Sequence, residues 1–403
     1  MKKQITKIKV ALIGNMNNNF FGIKRYLEDF GFSCTLFVYK NLPAHFQPIN
    51  DTWDIEKHRS SIIKLDYGIP HIEFFKKEKK SIFEEFDICI GDGFTPFYFN
   101  RMGLKLDIFV PYGSDLSDLP FKKKLRFKSI KQLVYSIVHN LFISGVQKDG
   151  ILNTTQIITM NNIELLSNAF EKLNRTSLPF FTPMVYNESN KNQADFSPYI
   201  DEKRINKFSF RVFSHSRQFW DDGGLESKGS EKLIYGFSLF NKKHKDSCLI
   251  LFEYGPSVKN SKNLIRELGI ENNVVWAKKM PRKYILVLIK KYASIGADQF
   301  QIGLFGSTTY ELMSQGIPVM NYLNLSPKEF KKKTGLPSPP IINVKTVSEI
   351  ASALDEFYTN KEKLRQLGIL VEKYFNKYLG RGAAIKYKDE IMNLYNKKRH
   401  FNN

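Results

Sequence analysis

Apolar positions along the chain come in two patterns: short unbroken runs that stop at glycine, and longer stretches that recur every three or four residues. IKVALIGN (8–15) is of the first kind. FFGIKRYLEDFG (20–31) is of the second, with Ile23, Tyr26, Leu27 and Phe30 on one face and Gly31 as a helix stop. SCTLFVYK (33–40) then reads as another strand. Strand, helix and strand in that order predict parallel pairing with a right-handed crossover. EEFDICIGDG (84–93) and LDIFVPYGSDL (106–116) repeat the strand-to-glycine pattern. Strand ends that run into Gly and Asp are where open α/β sheets place ligands.

The pattern lapses over YNESNKNQADFSPYIDEKR (186–204), which is polar, lacks an apolar period and reads as a linker. A second α/β series follows it. Strands are predicted at 207–217, 247–256, 273–279, 294–300 and 317–323, and helices at 231–240, 261–270, 284–292 and 307–316. From 347 to 402 the chain reads as helical throughout, with breaks near Gly368 and at 380–382. No internal sequence repeat is evident.

With 403 residues, one ordinary core is exceeded and two to three domains are expected. Lysine and arginine outnumber the acids, giving a formal net charge of +21. That balance favours an anionic partner without choosing among nucleic acid, an acidic membrane and a phosphorylated substrate. The basic residues are scattered and match no nucleic-acid motif, so nucleic acid is set aside. Cys34, Cys89 and Cys248 lie far apart and are odd in number, which excludes a disulfide framework. The opening MKKQITKIKV leads into a strand rather than a signal peptide, and the longest uncharged stretch, 132–147, is too short to span a bilayer. A cytoplasmic protein is expected, possible contact with the inner face of a membrane included. The seven histidines show no metal-binding spacing, so no metal site is expected.

Residues 297–323, ADQFQIGLFGSTTYELMSQGIPVMNYL, carry the strongest chemical signal. A strand ends at 298–300, Gly303 and Gly306 permit a close backbone approach, and a helix opens at Ser307, Thr308 and Thr309. Its unpaired N–H groups and positive dipole end make an anion site suited to a diphosphate, to which the hydroxyls add donors. Glu311 faces back toward this loop, placed to grip a ribose diol. On the residues alone, an ordinary strand-loop-helix with a capped terminus fits equally well.

This run resembles the donor-site signature of GT-B glycosyltransferases, the family 4-like group (glycosyl transferases group 1). The match extends over roughly 208–322, with GT-B-like organisation over the whole chain. The resemblance implies two Rossmann-like domains facing each other across a cleft, with C-terminal helices crossing back to the first. It divides the chain into an acceptor-side domain at 1–190, a linker at 191–205, a nucleotide-sugar domain at 206–375 and a helical segment at 376–403. Retaining members carry a second glutamate eight positions before the one matched by Glu311; here that position is Gly303.

The resemblance also assigns roles elsewhere. In SHSRQFWDDGGLESKG (214–229), Lys228-Gly229 resembles the family's KG element, and Lys228 and Arg217 are expected at the diphosphate, with His215 a rival to Arg217. The loops at Gly14-Asn15, Gly91-Asp92-Gly93 and Tyr112-Gly113-Ser114-Asp115 are expected on the acceptor side. Asp115 is a candidate base for an acceptor hydroxyl, or else a turn residue. The first loop lacks GxGxxG, which argues against a nicotinamide cofactor. FKKKLRFKSIKQLVYSIVHNLFISGVQK (121–148) has six basic residues before Gln132 and no acid. Its apolar positions Leu125, Ile130, Leu133, Val134, Ile137, Val138, Leu141 and Phe142 recur at helical spacing. It reads either as a basic amphipathic segment on an anionic membrane or as a helix packed on the sheet.

Together these give an expected glycosyltransferase with catalytic residues Asp115, Lys228 and Glu311, a nucleotide-sugar co-substrate, no other cofactor, and a lipid-linked or polysaccharide acceptor. The alternatives are a GT-B-fold nucleotide-sugar epimerase and a non-catalytic GT-B binding subunit.

Overall fold

The computed structural model describes residues 7–73, 79–124, 129–159, 164–188, 194–220, 227–304 and 306–402. They form two compact units: Met1–Tyr186 with Arg381–Asn403, and Asn187–Gly380. Each unit is built on a parallel six-stranded sheet.

In the first unit β1 (Lys9–Ile13), β2 (Ser33–Val38), β3 (Ile62–Lys64), β4 (Ile88–Gly91), β5 (Ile108–Phe109) and β6 (Gln156–Ile157) lie in the order β3-β2-β1-β4-β5-β6. In the second, β7 (Phe210–Ser214), β8 (Ser247–Phe252), β9 (Val274–Ala277), β10 (Ile295–Ala297), β11 (Val319–Asn321) and β12 (Ile342–Asn343) lie in the order β12-β11-β10-β7-β8-β9. Both are doubly wound, Rossmann-like topologies, in which strand order reverses at one crevice on the carboxyl edge. Those crevices fall between β1 and β4 and between β7 and β10.

Why the short runs become central strands follows from burial on both faces. Val10, Ala11, Leu12 and Ile13 are all buried, as is every residue of β8. The Asn19–Asp29 helix buries Phe20, Phe21, Ile23 and Leu27 against the first sheet, each contributing about 1.5–3 kcal/mol relative to exposure. The Ser307–Ser314 helix lies close on the second sheet. A side chain on Gly296 of β10 would come within 2.4 Å of Leu312.

Three expectations are corrected in detail. The last helical stretch breaks at Asn360 and Gly380, not at Gly368, giving helices Val347–Thr359, Lys361–Tyr374 and Arg381–Asn402 with a short wide turn at Phe375–Leu379. Gly368 lies inside the second of these, and it is close approach rather than a helix stop that calls for glycine there: a Cβ would stand 2.7 Å from the Gly316 carbonyl oxygen. The polar stretch read as a linker contributes to a core: Phe196 and Ile200 are buried, and the Tyr199 carbonyl accepts the Lys278 N–H at 2.8 Å.

Within 121–148, Ser129 caps a helix at Ile130–Val138 that buries none of its nine residues. Packing of this helix on the sheet is therefore not what its apolar positions do. Ile130, Leu141 and Val134 are exposed by 72%, 70% and 52%, beside Ile72 at 72%. Leu125 lies outside the described residues.

Candidate functional site

The crevice of the second sheet collects the polar side chains. β7 and β10 pair in register, Val212 with Ile295 and Phe213 with Gly296. The residues that follow them, His215-Ser216 and Asp298-Gln299, therefore emerge side by side below the first turn of the Ser307–Ser314 helix.

Asp298 ties the three segments together. Its Oδ2 accepts the Gly306 N–H at 2.7 Å and the Thr309 hydroxyl at 2.8 Å, and its Oδ1 accepts the Ser216 hydroxyl at 2.8 Å. Ser216 Oγ also lies 3.1 Å from Thr308 Oγ1. The carboxylate thus sits where a helix N-terminus favours negative charge. This corrects one expectation. The Thr308 and Thr309 hydroxyls face inward to Ser216 and Asp298 and the Thr309 N–H closes on the Gly306 carbonyl at 3.1 Å, which leaves exposed Ser307 and the Ser307 and Thr308 amides for a ligand.

Lys228 comes to the same loop. Its Nζ donates to Gln299 Oε1 at 2.6 Å and stands 3.7 Å from where a Gly306 Cβ would be. Its own backbone is pinned, with N–H to the Phe219 carbonyl at 3.1 Å and C=O from the Phe300 N–H at 2.8 Å. Lys232 Nζ adds a second ammonium at Phe300 O and Gln301 Oε1, 3.1 and 2.7 Å away. Arg217 holds its guanidinium 5.1 Å over the Phe219 ring, with its stem against Gly255. Gly303 is buried at φ +79, and a Cβ there would sit 2.5 Å from the Asn324 Cβ. No L-residue fits that position without displacement.

Glu311 is not the open carboxylate its sequence position suggests. Buried in the helix, it accepts from His215 Nε2 on Oε2 and from Arg282 Nε on Oε1 at 2.9 Å. Burial alone pushes its carboxyl up, but the pull of His215 and Arg282 outweighs burial and holds it below the ordinary range. The physical reason is general: a charge withdrawn from water must be paired.

The first sheet's crevice holds the residues expected on the acceptor side, and they brace loops. Asn15 donates to the Phe46 carbonyl and to Asn18 Oδ1, both at 2.8 Å, and accepts the Phe21 N–H at 3.0 Å. Asp92 accepts the Met16 N–H at 2.9 Å and closes over Gly14, where a Cβ would lie 1.7 Å from its oxygen. Asp115 accepts the N–H groups of Tyr112, Gly113 and Gly93 at 3.0, 2.8 and 3.2 Å. Its carboxylate is thus the turn clasp rather than an open base. Burial pushes Asp92 up to about 8 and Asp115 to about 6, with the backbone N–H groups pulling the other way. Tyr112 packs beside the first unit's core.

Among the described residues no group of three or more His, Cys, Asp or Glu is placed to hold a metal ion, and no helix is long and apolar enough to cross a membrane. A groove of about 490 Å³ lined by Lys105, Thr155 and Arg175 lies at the other, amino edge of β5 and β6. Arg282, Asp298, Ser216, Gln299 and Lys232 were not singled out from sequence. Asp298 had a signal, as the acid closing a strand in the motif; Arg282 had only its place after Pro281 at a helix start.

Comparison with known proteins adds three findings. Residues 224–372 match the family described as glycosyl transferases group 1. No curated protein matches the sequence. Among solved structures, the chain is similar to HepE of Anabaena in complex with UDP and glucose, at 13% identity and TM-score 0.56, covering 96% of this chain and 99% of that one. It is similar to sucrose-phosphate synthase of Thermosynechococcus elongatus at 12% identity and TM-score 0.58, covering 97% and 100%. It is also similar to WaaG, a glycosyltransferase involved in lipopolysaccharide biosynthesis, at 11% identity and TM-score 0.53, covering 95% and 99%. At such identities these likenesses speak for the fold. The chain thus shares the GT-B fold, two doubly wound parallel sheets, and the crevice-bearing part of its second unit matches the glycosyl transferases group 1 family.

Proposed function

We propose that the second unit binds a nucleoside-diphosphate sugar with its diphosphate at the outward amides of the Ser307–Ser314 helix, and that the sugar passes to a lipid-linked or polysaccharide acceptor. The observation that carries this is Lys228, whose ammonium stands beside the loop entering that helix at the sheet's crevice. Cleavage of the anomeric C–O bond leaves charge on the departing diphosphate. The Lys228 ammonium and the helix N-terminus meet that charge as it develops, and the reading calls on no bound metal. UDP is the first nucleotide to test, because HepE was seen with UDP and glucose. The experiment is binding of UDP, GDP and ADP by calorimetry, then sugar transfer with Lys228→Ala. Loss of about 10²–10³ in rate is expected; a rate equal to wild type rejects the site.

The lipid-linked acceptor is supported by a second feature. Ile130, Val134 and Leu141 project apolar surface beside Lys122, Lys123, Lys124 and Lys131, a combination suited to an anionic bilayer. Vesicles rich in phosphatidylglycerol should sediment the protein, and the double change Ile130→Ser, Leu141→Ser should weaken this. Absence of binding to these vesicles rejects the membrane reading, and equal binding to neutral vesicles rejects the part assigned to the lysines.

A further inference from the structure

One buried polar atom in the second unit has no partner. His215 Nδ1 is shielded from solvent and meets no donor or acceptor among the described residues, on a side chain 6% exposed. Folded chains keep few such atoms, and those kept call for an explanation. The rings of Phe213 and Phe252 flank the imidazole at centroid distances of 5.7 and 5.9 Å, supplying no hydrogen bond.

The other nitrogen decides what Nδ1 offers. Glu311, held ionised by Arg282, only accepts, so His215 Nε2 carries the hydrogen. In the neutral ring Nδ1 is then a lone pair, an acceptor seeking a donor. Its place is equally constrained. Glu311 is four residues from Ser307 and so lies on the same face of the helix one turn in. Ser216, the next residue, is hydrogen-bonded to Asp298 and adjoins Thr308. The imidazole is therefore bonded to the helix one turn in from the amides assigned to the diphosphate, and its neighbour Ser216 adjoins the first turn itself. On either side of its diphosphate, a nucleotide sugar presents hydroxyls: those of the ribose and those of the transferred sugar.

We infer that His215 is a donor-binding residue whose Nδ1 accepts a hydrogen bond from a hydroxyl of the nucleotide sugar, and that Glu311 and Arg282 are positioning residues that hold the ring for it. The inference rests on the donor-site reading above.

The test separates the two. Calorimetry on the full chain uses whichever of UDP, GDP and ADP binds wild type, its 2′,3′-dideoxy analogue, its glucose conjugate and inorganic pyrophosphate. His215→Gln keeps a donor for Glu311 but has nothing at the Nδ1 position; His215→Asn keeps an acceptor there. The expected result is a Kd about tenfold higher in His215→Gln, partly recovered in His215→Asn, with the unliganded melting temperature of His215→Gln unchanged. A loss with the nucleotide but not its dideoxy analogue assigns the ribose. A loss confined to the glucose conjugate assigns the sugar. Equal weakening for pyrophosphate overturns the hydroxyl assignment in favour of a phosphate contact, and wild-type affinities throughout overturn any contact. If wild type binds none of the nucleotides, the donor-site reading itself fails and this inference with it.

Discussion

Replacing Asp298 separates what its shape does from what its charge does. In Asp298→Ala the Gly306 N–H and the Thr309 and Ser216 hydroxyls lose their acceptor together. Buried donors left unsatisfied cost about 1–3 kcal/mol each. Allowing the Ser216 hydroxyl to turn toward Thr308, the loss is about 3–5 kcal/mol. Asp298→Asn is milder, because the amide oxygen can take the two bonds at Oδ2 and the amide nitrogen can donate to Ser216 Oγ. It forfeits only charge assistance, about 1–2 kcal/mol. For a unit of this size, roughly 2–4 °C per kcal/mol follows, so scanning calorimetry should show the second unit's transition falling by about 10 °C in the first and a few degrees in the second. The amide also removes a negative charge beside the diphosphate amides, so UDP should bind at least as tightly to Asp298→Asn as to wild type. Equal melting of both variants and wild type refutes the clasp. A tenfold weaker UDP affinity in Asp298→Asn refutes the electrostatic reasoning.

The other expectations concern separate parts of the chain. Asp92 has a folded pKa of about 8, against about 4 for an unfolded aspartate. Between those values the folded state holds a proton the unfolded chain has released, so stability falls as pH rises through the window and levels off above it. The melting difference between Asp92→Asn and wild type should therefore widen from pH 5 to 8; a constant difference contradicts this. Gly303→Ala, forced at φ +79 against Asn324, should lose about 2–4 kcal/mol by chemical denaturation, and an unchanged midpoint argues against the closed turn. On the proposal that Lys228 and helix amides meet the diphosphate charge, chelation with EDTA should leave transfer rates as they were. A large loss restored by magnesium replaces that account.

The alternation of apolar runs and amphipathic stretches was enough to read both α/β series, because fully buried parallel strands leave continuous Val, Ile, Leu and Phe runs. Lys228 and the helix at Ser307 were legible for a similar reason, as both lie within one strand-loop-helix grammar. Long-range polar pairing was not. Nothing local marks Arg282 as the partner of Glu311, twenty-nine positions on, or turns the Thr309 hydroxyl inward toward Asp298. Asp115 was read both as base and as turn residue; three backbone N–H groups on its carboxyl favour the turn. Gly368 looked like a stop because its role, room for the Gly316 carbonyl, is set by a turn about fifty residues earlier in the chain.

The first unit is assembled from two separated segments, with Tyr387, Ile391 and Leu394 of the Arg381–Asn402 helix buried in its core. During synthesis its sheet emerges from the ribosome long before that helix exists, whereas Asn187–Gly380 is one uninterrupted piece. The nascent amino-terminal sheet must wait, with the surface meant for Tyr387 still uncovered, while the later-born unit completes itself. Chaperone dependence and sensitivity to ribosome stalling should accordingly concentrate in the earliest-made segment.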